Sequence, residues 1–271
     1  MSEQIYFTPN EMAEIAAESA VKKAKMPVRR TLSLALLAGM YIGFGGLLVV
    51  LVGAGTAALP YGLVKLLMGL VFSIGLVLVV IGGAELFTGS TIVALAALDK
   101  KISWSKVLKN WSLVYLGNFI GALLLAALII LSKQYNFGGG LVSESIFKIA
   151  AGKLHYSFLA AVILGILCNI FVCLGVWLSY SSKSAGDKIL AIIFPITAFV
   201  ALGFEHSVAN MYLLSSAWLI KMFDPAVAAL YDTSSAITLY NIVVVNLIPV
   251  TIGNILGGLF IWVIYRFAYQ K

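Results

Sequence analysis

Charged residues are scarce in this chain: Asp, Glu, Lys and Arg make up 11% of its 271 residues, against 62% hydrophobic residues. A soluble domain carries about a quarter charged residues, so this balance, with a mean hydropathy of +1.04, excludes one and points to a polytopic membrane protein. Long polar stretches are also missing. The N-terminal arm of about 30 residues is the one candidate, and it is too short for a separate soluble domain. Cysteine occurs twice, as Cys168 and Cys173 in one apolar segment, at a spacing that fits neither a Cys-x-x-Cys redox pair nor a zinc site. Buried packing is the simpler role for both. No metal cluster, nucleophile elbow or cofactor motif occurs, so neither metal, cofactor nor enzymatic activity is expected. A cleavable signal peptide is not expected either, because a polar, mixed-charge start precedes the first apolar segment.

What is present is apolar and segmented. Six hydrophobic segments run over residues 31–53, 61–98, 107–132, 155–180, 189–220 and 237–267, the second and fifth overlong and interrupted by glycine. Each is long enough to cross a bilayer. Counting spans, Lys22, Lys23, Lys25, Arg29, Arg30, Lys100, Lys101, Lys106, Lys109, Lys183, Lys188, Arg266 and Lys271 fall on one side, against five lysines on the other. The bias predicts a multi-pass protein of the cell membrane with both termini cytoplasmic. It also accounts for the net charge of +7 without nucleic acid, since these lysines are scattered over loops and lack an aromatic platform. Residues 1–30 are expected to hold a cytoplasmic amphipathic helix, and 31–271 the six-span domain. Thr8-Pro9-Asn10-Glu11 has capping-box spacing, and Met12, Ile15, Ala16 and Ala20 then share a face. That helix either lies on the cytoplasmic surface or plugs a cytoplasmic mouth.

The stretch around which the chain is organised is Phe194 to Met211. Glu205 and His206 sit side by side inside an apolar segment, with Pro195 and Gly203 upstream. An ionisable pair at membrane depth costs at least ~2.5–3.5 kcal/mol and normally faces protein or a water-filled path. Gly203 permits a backbone break and Ser207 can cap a helix restarting there. The second segment has a counterpart, Gly82-Gly83-Ala84-Glu85-Leu86-Phe87-Thr88-Gly89-Ser90, in which Gly83-x-Glu85 mirrors Gly203-x-Glu205. A second echo pairs Gly117-Asn118-Phe119-Ile120-Gly121 with Gly253-Asn254-Ile255-Leu256-Gly257. Two matched pairs in the same order predict halves of three spans each, inverted in the membrane, with broken second and fifth helices meeting near the midplane. In the first span, Gly39-x-x-x-Gly43 allows close helix contact within or between subunits.

The polar residues have readings of their own. Glu85 and Glu205 are expected to accept hydrogen bonds from loop N–H groups and pin the breaks. Lys153 is either a snorkelling lysine or a fixed positive charge at the mouth of an anion path. Asn169 lies sixteen residues further on, roughly 24 Å deeper on one continuous helix, as interhelical glue or as a substrate contact. Two restarting helix N-termini aimed at one point make an anion-tolerant spot without a buried lysine. A neutral imidazole at His206 can donate a hydrogen bond there, or relay a proton to a weak-acid anion.

Glu85-Leu86-Phe87-Thr88-Gly89, Gly203-Phe204-Glu205-His206-Ser207-Val208-Ala209-Asn210-Met211 and Asn246-Leu247-Ile248-Pro249-Val250-Thr251-Ile252-Gly253-Asn254 resemble the signatures of the formate–nitrite transporter family. Together with Ala151-Gly152-Lys153-Leu154-His155, they are most similar to its formate-channel branch. The resemblance implies an all-α, aquaporin-like fold of six spans and a homopentamer with one pore in each subunit. It implies Thr88 and His206 as the central polar pair, and Phe72, Leu76, Leu86, Phe87 and Phe199 as two apolar constrictions. Lys153, Asn169 and Asn254 would be accessory polar residues of the pathway. Members of the family pass formate, nitrite, hydrosulfide or lactate. The expected function is therefore a channel or transporter for formate and similar weak-acid anions, with nitrite or hydrosulfide as the alternative within the family. An aquaporin-like neutral-solute pore is the alternative outside it. That pore lacks an Asn-Pro-Ala motif here and leaves the central histidine unexplained.

Overall fold

A computed structural model describes residues 6–269. Among the described residues the fold is carried by α-helices: α1 (Pro9–Ala24), α2 (Val28–Gly53), α3 (Tyr61–Gly82), α4 (Phe87–Ser90), α5 (Val93–Leu98), α6 (Trp104–Leu131), α7 (Leu141–Leu154), α8 (Phe158–Ser179), α9 (Ala185–Ala201), α10 (Ser207–Phe223), α11 (Pro225–Ala228) and α12 (Ile248–Tyr269). A π-helical turn, Asn241–Leu247, leads into α12. Five helices are long and apolar enough to cross a membrane: α2, α3, α6, α8 and the continuous stretch Asn241–Tyr269. The fifth apolar segment is divided into α9 and α10, each of 17 residues, about 25 Å and short of a bilayer core. The second is divided into α3, α4 and α5.

The same device ends α3 and α9. Gly83 (φ +74°) and Gly203 (φ +75°) adopt the left-handed conformation that a side chain disfavours. The next N–H then reaches back five residues, Ala84 to the Val79 carbonyl at 2.9 Å and Phe204 to the Phe199 carbonyl at 3.0 Å. This is a Schellman closure, and it turns the chain out of the helix.

Glycine also sets how closely the long helices approach. A Cβ at Gly121 would lie 2.0 Å from the Leu36 carbonyl oxygen of α2, and one at Gly257 would lie 2.2 Å from the Ile166 carbonyl oxygen of α8. Thus α2 packs against α6, and α8 against α12, backbone to backbone. The Gly39–Gly43 face is used within the subunit, against Asn118 of α6 and Tyr212 of α10.

The N-terminal helix starts as its sequence predicts. The Glu11 carboxylate accepts the Thr8 N–H at 2.7 Å, Thr8 Oγ1 accepts the Glu11 N–H, and Pro9 fills the first helical position. Its buried face is Met12, Ala13, Ala16, Ala17 and Ala20, with Ile15 only half-buried. That face is docked on the body of the protein, in one apolar cluster with Ile92, Val93 and Leu95 near α5 and with Trp177 and Trp262. The sequence reading missed α7. It ends at Leu154 and is separated from α8 by a turn, so Lys153 and Asn169 do not share a helix and the expected 24 Å between them does not apply.

Candidate functional site

Each break frees main-chain groups from the helical ladder, and each is held by one buried asparagine from the packed helix behind it. At the first break, Asn118 Oδ1 accepts the Phe87 N–H at 2.8 Å, while its Nδ2 donates to the carbonyls of Glu85 and Ala35 at 2.9 and 2.7 Å. At the second, Asn254 Oδ1 accepts the Ser207 N–H at 2.9 Å, and its Nδ2 donates to the carbonyls of Glu205 and Gly165 at 2.9 and 2.8 Å. The N–H groups of Glu85 and Glu205 donate to Leu34 and Leu164. Asn118→Ala or Asn254→Ala strands two such groups, an N–H and a carbonyl of the break, each worth about 1–3 kcal/mol when left unpaired. Both variants are expected to melt well below the wild type, and a melting temperature within a degree of it would rule out the asparagines as the pins.

The N–H groups of Glu85, Phe87, Glu205 and Ser207 are satisfied without the carboxylates, which are free for other partners. Contrary to expectation, the hydrogen bonds seen at Glu85 and Glu205 come from side chains. Glu85 accepts from Lys23 Nζ of α1 at 2.7 Å and from Ser90 Oγ at 3.4 Å. Glu205 accepts from Lys153 Nζ at 2.8 Å, Asn210 Nδ2 at 2.6 Å and Asn246 Nδ2 at 3.2 Å. Lys153 therefore does not stand as an unpaired charge at a mouth; it is locked to a carboxylate that is 2% exposed. Asn254 pins the second break, and Asn169 donates to the carbonyls of Thr88 and Asn254 at 3.3 and 2.5 Å, so both amides brace the site from behind.

The two breaks meet at Thr88 and His206, with Thr88 Oγ1 3.2 Å from His206 Nε2. His206 is also the N-cap of α10, its Nδ1 accepting the Ala209 N–H at 3.1 Å. An acceptor nitrogen carries no proton, so the neutral ring holds its hydrogen on Nε2, directed at Thr88. The Phe72 and Phe199 rings lie 6.4 and 6.0 Å from the imidazole and meet each other edge to face at 5.8 Å.

A cavity opens on either side of this centre. One, of about 490 Å³, reaches Phe72, Phe199 and His206 and is also lined by Lys65, Lys148 and Lys153. The other, of about 390 Å³, reaches Leu76 and Leu86 and is lined by Lys22, Lys23 and Arg30 of the N-terminal region. Four of the five expected constriction residues thus stand between the cavities. Phe87 does not: its ring packs edge to face on Tyr115 of α6 at 4.9 Å, because Asn118 holds its own N–H toward that helix. Asn118 was visible in the sequence as an echo of Asn254 but was not assigned to the site. Nothing local announced Lys23, whose carboxylate partner lies 62 residues away.

A helical bundle with two interrupted apolar segments and lysine-lined cavities on both sides of an apolar centre is the architecture of a pore-forming membrane protein. The comparisons say which kind. The family model for formate/nitrite transporters matches residues 10–268, and the chain belongs to that family. It is 41% identical over 267 residues to the formate channel FocA of Escherichia coli (strain K12), covering 95% of this chain and 94% of that one. A probable formate transporter of Methanothermobacter thermautotrophicus is 38% identical over 281 residues, covering 97% of each chain. Among solved structures, a pentameric formate channel with formate bound superposes with a TM-score of 0.84 at 40% identity, covering 90% of this chain and 98% of that one.

Proposed function

We propose that this chain is a formate channel of the cell membrane that also admits similar small weak-acid anions. It assembles as a homopentamer with one pore in each subunit, and both termini are cytoplasmic. The protomer crosses the bilayer six times as two inverted three-helix halves, with α3–α5 and α9–α10 as the broken second and fifth spans. The matched Schellman closures, asparagine pins and lysine–glutamate pairs of the two breaks support that repeat, because an odd number of crossings per half inverts one half against the other. Residues 31–271 form the channel domain, and α1 belongs to the cytoplasmic arm.

The observation that carries the functional reading is the Thr88–His206 pair, 3.2 Å apart between two lysine-lined cavities. Anions collect in the positive cavities. The waist of Phe72, Phe199, Leu76 and Leu86 then strips their water, which a bare charge resists strongly. A low dielectric disfavours the charged form of the carboxylate and raises its affinity for a proton. Nε2–H of His206 and the Thr88 hydroxyl offer donors where the charge is worst solvated. A proton reaches the imidazole only if Nδ1 releases the Ala209 N–H, at a cost of about 0.5–2 kcal/mol, the worth of an N-cap. That loss adds to the larger cost of charging a buried ring, which pairing with the entering anion must offset; the acid can then cross neutral and leave its proton on the far side.

Labelled formate, nitrite and hydrosulfide uptake into proteoliposomes under an imposed pH step tests the assignment. Formate is expected to enter fastest, accelerated when the loading side is acidic. Liposomes that pass water but none of the three anions would overturn it in favour of a neutral-solute pore.

A further inference from the structure

The cavity on the α7 side holds a cation that neither the central site nor the ion-pair network uses. Tyr61, Val64, Lys65, Met68 and Phe72 all line it and form one stripe along α3, at the spacing that puts residues on a single helix face. Lys65 stands two turns before Phe72, about 10.5 Å along the helix axis, on the wall leading to the ring that closes the cavity. Its side chain is half-buried, and Nζ lies 5.6 Å from the Tyr61 ring centroid. None of the salt bridges among the described residues includes it.

The other charges of the cavity do not do the same work. Glu205 is the one carboxylate among its lining residues, and that group is bound to Lys153, Asn210 and Asn246. Lys153 and Glu205 are therefore a compact dipole whose field falls off quickly. Lys148 lies exposed, where water and salt screen it. Lys65 is left as the unpaired, partly desolvated charge, in a cleft whose apolar walls concentrate its field.

We propose that Lys65, not Lys153, captures the small monovalent anion ahead of the waist and sets its apparent affinity on this side. The assignment rests on the anion-channel reading above. It places the docked anion on the Lys65 ammonium, from which the path to His206 runs along the α3 stripe past Met68 and Phe72.

The test is formate uptake against formate concentration in oriented proteoliposomes, loaded from the α7 side at low and at high ionic strength. Lys65→Gln is expected to raise KM about five- to tenfold at low salt, the effect of removing one charge near contact distance in a partly screened site. The deficit should shrink as salt rises, and Lys65→Arg should keep the low KM. Lys65→Cys gives a second route if Lys65→Gln assembles poorly: a cationic thiol reagent should restore affinity and an anionic one should lower it further. A wild-type KM for Lys65→Gln at low salt would overturn the assignment while leaving the channel itself intact. So would an equal defect at both salts that arginine fails to rescue, since that would mark a packing role. Absence of formate flux in the wild type would instead overturn the channel reading, and this assignment with it.

Discussion

His206→Asn is expected to fold and assemble normally yet lose proton-coupled formate uptake by about a hundredfold, the lower range for removing a positioned proton-transfer group. The separation of folding from transport follows from the two jobs of the ring. Nδ1 caps α10 by accepting the Ala209 N–H, and asparagine is among the best residues at an N-cap, so its side-chain oxygen takes over that bond. What asparagine cannot supply is a titratable nitrogen facing Thr88. A strong-acid anion such as chloride never becomes neutral in the waist, so its small leak is expected to persist or rise in the variant. Labelled formate and a trapped pH dye, read together in the same liposomes, decide the matter. Formate and protons moving together at wild-type rates in His206→Asn would reduce the imidazole to a hydrogen-bond donor.

Gly257→Leu, and its counterpart Gly121→Leu, are expected to abolish folding. In each case even the Cβ would sit 2.0–2.2 Å from a backbone carbonyl oxygen on the packed helix, and a backbone carbonyl cannot swing aside as a side-chain end can. The helices must part over their whole contact, a cost above the ~1–3 kcal/mol of ordinary overpacking and comparable with the ~5–15 kcal/mol stability of a folded protein. The same separation would pull Asn118 or Asn254 off the break it pins, since each asparagine sits three residues before the glycine on the same helix. Gly62→Ala is the matched control: it lies in the first turn of α3 with nothing within 4 Å of its Cβ position. Size-exclusion profiles and melting curves from detergent would show the difference. A monodisperse Gly257→Leu protein melting at the wild-type temperature would mean that the close crossing of α8 and α12 is not required.

The legibility of the site in the sequence divides by range. The breaks were visible because glycine, an acidic residue and a polar residue within a few positions are out of place in an apolar run, whatever surrounds them. Thr88, His206, Phe72, Leu76, Leu86 and Phe199 came with the family motif; Thr88 lies against His206, Phe72 and Phe199 lie beside that ring, and Leu76 and Leu86 line the opposite cavity. The partners of the carboxylates were not visible. The sequence suggested loop N–H groups for Glu85 and Glu205 because those are the nearest donors along the chain. Competition decided otherwise: Asn118, Asn254 and two carbonyls claim the loop groups, leaving the carboxylates to Lys23 and Lys153. Phe87 failed for a related reason. Its place in the motif is fixed, but the direction of its ring depends on which neighbour holds its amide.

By itself, the sequence determined that this is an apolar chain with helices long enough to cross a membrane, where glycine interrupts two of its apolar segments, and that an imidazole sits just after one interruption. These follow from composition and local spacing, because a charge or glycine inside hydrocarbon-compatible sequence needs the same remedy in any fold. Only the tertiary structure decided that α1 reaches back to Glu85, that α7 interrupts the approach to α8, and that Lys153 is spent on Glu205 while Lys65 stays unpaired. The two ion pairs depend on which groups lie within a few ångströms across gaps of more than 50 residues, and the strength of an ion pair is set by that distance and by burial, neither of which a linear pattern contains.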